Sequence, residues 1–240
     1  MPVVSCRNLS KRFGNLSAVS NLSLDINEGE IFGLLGPNGS GKTTLMRMLV
    51  GLIKPSAGAA TVLGRPIGER ALLAQVGYMT QAGALYADLT VRENVEFFAA
   101  MCGGASKQRV DDALALVELT DRAESPVATL SGGLKLRASL ACALAHQARL
   151  LILDEPTVGV DPALRAGFWR HFRQLASQGV SIIVSSHAMD EAERCDRLAF
   201  MRSGALLAVG APRQVMDAAH APDLEHAFLF YAASHNGETR

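Results

Sequence analysis

The sequence predicts an α/β fold with a mostly parallel sheet, and three observations carry that expectation. The runs IFGLL at 31–35, LLILD at 150–154 and VSIIVSS at 180–186 read as short strands with apolar centres, the first two apolar almost throughout, as strands covered on both faces are. Segments of helical period lie between and after them, the pattern that forces crossover connections. The opening differs: Leu22, Leu24 and Ile26 alternate with polar residues, which predicts an N-terminal antiparallel β subdomain with one solvated face.

Along the chain, VVSCRNL and LSAVSNLSLDINEGE form the β opening, and IFGLL leads through a Gly-rich turn into an apolar helix, TTLMRMLVGLI. Residues 60–80 predict more strand, ending in VGYMT. From Thr90 the period becomes helical, and Thr90 with Glu93 forms a capping box for TVRENVEFFAAM. A second helix, SKQRVDDALALVEL, follows the CGG break, and a third opens at Ser131. A helix from Pro162 to about Gln178 is delimited by Asp161 as N-cap, Pro162 at the first position and Gly179 beyond the end. A short helix, AMDEAERC, precedes the hairpin RLAFMR-SG-ALLAVG, and the last 30 residues predict two short helices and a polar tail. The expected organisation is a body over 1–210 with a helix-rich subdomain near 85–145, then a short helical tail over 211–240.

Composition bounds the function. At 240 residues, against about 150 for a typical domain, the chain makes one large domain or two small ones. With 49% hydrophobic and 19% charged residues it is too apolar to stay disordered. Lys plus Arg equals Asp plus Glu at 23 each, which argues against a nucleic-acid partner. Cys6, Cys102, Cys142 and Cys195 lie far apart without a CxxC pair, so buried thiols are expected rather than a metal or dithiol. The polar start shows no secretory signal, and every apolar run is broken short of the roughly 18 residues of a membrane span. A soluble chain is expected, although a mean hydropathy of +0.18 is high for one.

The strongest chemical signal is GPNGSGKTT: Gly36, Pro37, Asn38, Gly39, Ser40, Gly41, Lys42, Thr43 and Thr44. Glycines let backbone N–H groups wrap phosphates at a distance a Cβ would prevent, and the following helix offers its positive end. Lys42 is expected to reach the β/γ-phosphates and the Thr43 hydroxyl to ligate Mg²⁺. At the end of LLILDEP, Asp154 suits the Mg²⁺ site and Glu155 the polarisation of the water that attacks the γ-phosphate. LSGG supplies Ser131, Gly132 and Gly133 at another helix start, a second anion-facing terminus in the same chain.

With these motifs in this order, the chain resembles the nucleotide-binding subunit of the ATP-binding cassette (ABC) transporter family, from about Val3 to Gly210. The resemblance implies a P-loop NTPase core and a helical subdomain carrying the LSGG signature. It implies that Phe13 stacks on adenine, that Gln81 after VGYMT touches Mg²⁺ or the attacking water, that Asp161 lies in the loop crossing between subunits, and that His187 contacts the γ-phosphate. Ser131, Gly132 and Gly133 then face the ATP held by a second copy, so that two ATP are sandwiched in a dimer, expected to be a homodimer. An integral membrane permease is the further implied partner, meeting a groove of Ala82, Ala84, Leu85, Tyr86 and Leu89. That places the chain peripherally on the cytoplasmic side of the inner membrane. The segment from His187 to Pro212 and the ending DLEHAFLFY resemble the drug and polysaccharide exporter branch, with Leu224, Phe228 and Tyr231 also suited to packing a helix on the body. Two departures stand out: Leu136 where the signature stretch commonly has Gln, and Val160 where Leu is frequent. The alternative is a soluble ABC-type ATPase acting in translation or DNA maintenance.

Overall fold

The computed structural model describes residues 2–80 and 84–237, with side chains to 234; Gln81 and Ala82 lie outside the described residues. The chain divides into two compact units, residues 1–69 with 183–240, and residues 70–182.

The first unit opens with a four-stranded antiparallel sheet of β1 (Pro2–Phe13), β2 (Leu16–Asn27), β4 (Ala57–Val62) and β5 (Arg65–Pro66), ordered β2-β1-β4-β5. The alternation seen in the sequence works as expected: Leu22, Leu24 and Ile26 are buried and pair with Leu9, Cys6 and Val4 across β1. The same unit holds β3 (Ile31–Leu35), β8 (Ser181–Ser186, whose first two residues belong to the second unit), β9 (Arg197–Arg202) and β10 (Ala205–Gly210), ordered β10-β9-β3-β8. β3 and β9 are parallel; β9 and β10 form the expected hairpin, with Ser203 and Gly204 both at positive φ as a tight primed turn requires.

Helix α1 (Lys42–Leu49) follows β3, and α6 (Met189–Ala192) is a single turn, shorter than the sequence suggested. Next come α7 (Pro212–Ala218) and α8 (Leu224–Gly237). α8 is longer than a short helix with a loose tail, because its apolar residues have a core to join. Leu224 and Ala227 are buried with Leu35, Leu198, Phe200 and Val215. Phe228 meets Phe200 edge-on with centroids 5.4 Å apart, and the Tyr231 hydroxyl donates to the Val215 carbonyl at 3.3 Å.

The second unit contains β6 (Val76–Met79) and β7 (Leu150–Asp154), which pair in parallel, and helices α2 (Val91–Met101), α3 (Lys107–Leu116), α4 (Gly132–Leu144) and α5 (Pro162–Ser177). Residues 67–75, expected as strand, are turns and a 3-10 turn over Arg70–Leu72. Thr90 and Glu93 make both bonds of the capping box, at 2.7 and 3.1 Å. Arg92 ties the helices together, donating to Asp111 at 2.7 Å and Glu124 at 2.8 Å. Gly77 lets β6 approach α4 closely: an added Cβ would meet the Ala143 carbonyl and lie 2.6 Å from a Leu151 methyl.

Candidate functional site

In the first unit, the buried strand β3 delivers the chain into the loop Gly36–Gly41, and α1 begins at Lys42. The loop is braced from two sides. A Cβ on Gly36 would meet the Met201 carbonyl, and one on Gly41 would meet the Ala18 carbonyl. The Gly204 N–H donates to the Ser40 carbonyl at 3.0 Å. Gly41 stands at φ +104° and Gly39 at +79°, conformations that suit glycine. Pro37, Asn38 and Gly39 form an exposed tip, Thr43 and Thr44 are half-buried, and Lys42 is buried. The Lys42 ammonium donates to the Gly36 carbonyl at 2.7 Å and to that of Pro37 at 3.2 Å, so the cation stands within the curl of the loop. The Ser40 hydroxyl is buried and has no hydrogen-bond partner among the described residues.

Two further candidates belong to this unit. Phe13 closes β1 and is half exposed. His187 is exposed just beyond β8, on a turn that sequence reasoning did not explain. The Ser186 hydroxyl donates to the buried Glu191 carboxylate at 2.7 Å and accepts from the Ala188 N–H at 3.0 Å. The string SSHAMDE held that signal, a Ser and a Glu bracketing the histidine.

In the second unit, β7 is buried throughout and ends in Asp154; Glu155 follows, and both carboxylates are buried. Acidic side chains are almost never fully buried unless they are paired. Glu155 also adopts φ +53°, a left-handed conformation that costs a non-glycine residue of order 1–3 kcal/mol and is concentrated at functional sites.

Ser131 caps α4, accepting from the Leu134 N–H at 3.4 Å, and Asp161 caps α5, accepting from Ala163 and Leu164 at 3.1 and 3.0 Å. The structure brings these two caps together: one cavity of about 340 Å³ is lined by Ser131, Gly133, Gly159, Asp161, Glu118 and Arg137 among others. The glycines here differ from those of the phosphate loop. Among the described residues, a Cβ on Gly132 would meet nothing within 4 Å, and one on Gly133 only the Gly159 carbonyl at 3.9 Å. Packing among the described residues therefore does not require them. Leu134 and Arg137 line this cavity; Leu136, the first departure, is half-buried on α4 and is not among the lining residues. Val160, the other departure, does line it.

An aromatic cluster completes the second unit. Tyr86 meets Phe97 edge-on at 4.9 Å, and Phe97 meets Phe98 at 5.5 Å. Tyr86 and Met101 are at least half exposed. Buried Asn94 pins the segment, accepting from the Tyr86 N–H at 2.8 Å and donating to the Tyr86 carbonyl at 3.0 Å. Sequence reasoning found Ala84, Leu85, Tyr86 and Leu89 but not Phe97, Phe98 or Met101, although VEFFAAM carried them.

No helix among the described residues is long and apolar enough to cross a membrane, and no cluster of metal-ligating side chains of three or more stands among them. Cys6, Cys142 and Cys195 are buried and Cys102 half-buried, and none of the four is in a disulfide.

The chain is 39% identical over 240 residues to a probable multidrug ABC transporter ATP-binding protein of Escherichia coli K12, spanning 95% of this chain but only 41% of that protein. It is 42% identical over 225 residues to a Nod factor export ATP-binding protein I of Burkholderia lata, covering 90% of this chain and 74% of that one. Among solved structures, an ATP-binding subunit of an ABC transporter superposes with a TM-score of 0.88 at 25% identity, covering 96% of this chain and 99% of its own. A dimeric ATP-binding cassette in a post-hydrolysis state with ADP and Pi superposes at 0.81 with 26% identity, covering 87% and 98%. The family model described as ABC transporter matches residues 19–158. On sequence, motif geometry and fold together, this chain belongs to the ABC transporter family.

Proposed function

We propose that the chain is the ATP-binding and ATP-hydrolysing subunit of an ABC transporter, pairing with a second copy around two ATP to drive a separate membrane permease in export. The observation that carries the reading is the contrast between two sets of glycines. Gly36 and Gly41 are demanded by the chain's own backbone around a curled loop, whereas Gly132 and Gly133 open onto empty space beside a helix N-terminus. One set builds a phosphate cradle and the other leaves room for a phosphate held elsewhere.

The cradle fits a nucleotide triphosphate with Mg²⁺. Gly36 and Gly41 leave no space for a Cβ, the lysine ammonium already stands over the loop carbonyls, and the buried Ser40 hydroxyl lacks a partner among the described residues. In this reading Gly36 to Gly41 hold the phosphates by backbone N–H groups, Lys42 neutralises the β- and γ-oxygens, and Thr43, Asp154 and Gln81 hold the cation. When bound, Mg²⁺ supplies charge neutralisation across the phosphates. Glu155 accepts the proton of the attacking water, His187 contacts the γ-phosphate, and Phe13 stacks on the base. Ser131, Gly132, Gly133 and Asp161 serve the nucleotide of the partner copy. The permease meets the apolar patch of Tyr86, Phe97, Phe98 and Met101, whose aromatic edges suit an amphipathic helix. This places the chain peripherally on the cytoplasmic face of the membrane, with residues 1–210 as the ATPase body and 211–240 as its tail. Export rather than import is supported by the names of the relatives, multidrug and Nod factor export proteins.

The deciding experiment is Glu155→Gln. It should keep ATP binding, abolish hydrolysis and accumulate an ATP-dependent dimer on size exclusion. Hydrolysis at the wild-type rate would remove Glu155 from its role, and a monomer at saturating ATP would remove the sandwich.

A further inference from the structure

Lys11 and Phe13 stand two residues apart on β1 and so share one face of the strand. The Lys11 ammonium lies over the Phe13 ring, 5.0 Å from its centroid. It is also anchored from behind, donating at 2.8 Å to the carbonyl of Lys54 in the stretch that follows α1. That stretch is fastened to β1 twice more: the Ser56 N–H donates to the Ser10 carbonyl at 2.8 Å, and the Arg12 N–H to the Ser56 hydroxyl at 3.1 Å.

A surface lysine ordinarily samples many rotamers. This one is fixed by a hydrogen bond to a carbonyl, and the place where it is fixed is the face of a half-exposed aromatic ring. Phe13 retains 46% of its surface, so the ring is left available to a flat ligand while the cation draws on its π-cloud. A ring made electron-poor in this way stacks better on an electron-rich purine, and a ring pinned in place loses less freedom when the purine arrives.

We propose that Lys11 is a positioning residue for nucleotide binding, holding Phe13 as the platform on which the base stacks. The proposal rests on the assignment of Phe13 to the base. Lys11 thereby enters the affinity for the base and not the chemistry at the γ-phosphate. It also ties the platform to the chain that leaves the phosphate-loop helix, so that base and phosphate subsites are registered against each other by the Lys54–Ser56 stretch.

The test is equilibrium binding of ATP and of inorganic tripolyphosphate to the full chain, with turnover measured at saturating ATP. Lys11→Met should weaken ATP by about two- to fivefold, leave tripolyphosphate binding unchanged and leave kcat unchanged. Lys11→Arg, which keeps a cation and a donor, should restore the ATP affinity. In a Phe13→Ala background, Lys11→Met should have no further effect, since a residue acting through the ring has nothing left to act on. Equal weakening of ATP and tripolyphosphate, or an undiminished effect without Phe13, would mean that the ammonium touches phosphate directly and would overturn the proposal. Loss of ATP affinity in Phe13→Ala with none in Lys11→Met would overturn the role of Lys11 alone. Wild-type ATP binding by Phe13→Ala would instead remove the platform itself, a distinct failure.

Discussion

The Ser186 hydroxyl donates to the Glu191 carboxylate at 2.7 Å, and this one bond spans the turn that presents His187. The same hydroxyl accepts from Ala188, so a single oxygen holds the chain on both sides of the histidine. A hydrogen bond to a charged acceptor contributes about 1.5–3 kcal/mol. Ser186→Ala should lower unfolding stability by that order in denaturant titration. It should also reduce kcat for ATP hydrolysis while leaving ATP affinity near wild type, because the histidine loses its fixed presentation and the phosphate cradle does not. A variant with lower stability and full kcat would show that the bond is structural only.

The two tightest glycines of the phosphate loop differ in kind from the one at its tip. Gly41 combines φ +104° with the Ala18 carbonyl where a Cβ would sit, whereas Gly39 at φ +79° has nothing within 4 Å. Gly41→Ala should abolish ATP binding, since either the loop or β2 must move. Gly39→Ala should meet only the backbone penalty of about 1–2 kcal/mol and weaken ATP by about five- to thirtyfold. Calorimetric titration of both variants checks the order; equal losses would show that the loop is not held against β2.

Burial holds the imidazoles of His146 and His171 below their ordinary value of 6.5. The unfolded chain therefore binds more protons than the folded one once the pH falls past that value. Stability contributed by the neutral rings is full above about pH 6.5 and is lost progressively as the pH drops toward their folded values. Denaturant midpoints measured between pH 8 and pH 5 should fall on the acid side, and His146→Gln should flatten part of that slope. A stability that stays level through this range would contradict the buried, neutral state.

Much of this architecture is legible in residue order because the relevant physics is local. Asp161, Pro162 and Gly179 delimit α5 by cap chemistry alone, and Thr90 with Glu93 starts α2 by bonds within one turn. The phosphate loop is legible for the same reason, being a conformation written in closely spaced glycines. What stayed hidden depends on distant partners. Nothing adjacent marks Gly77 as the point where β6 meets the Ala143 carbonyl, or Asn94 as the clamp on Tyr86. Periodicity places Phe97 and Met101 on a helix but says nothing of whether the chain itself covers them, and the left-handed Glu155 is invisible without coordinates. The extra length of α8 is hidden because its apolar residues cannot be weighed without Phe200, the ring that receives them.

That last helix bears on how the protein can be handled at the bench. The motifs assigned to the nucleotide all lie before Gly210, which invites trimming there for expression or crystallisation. Yet Leu224 and Ala227 are buried beside Phe200, and the Arg202 guanidinium donates to the Ala232 carbonyl at 3.2 Å. A chain cut at the motif boundary would leave β9 and β10 with a bare apolar flank, prone to precipitate. Among the described side chains the buried seam runs through Ala232, so trimming short of it removes part of the core.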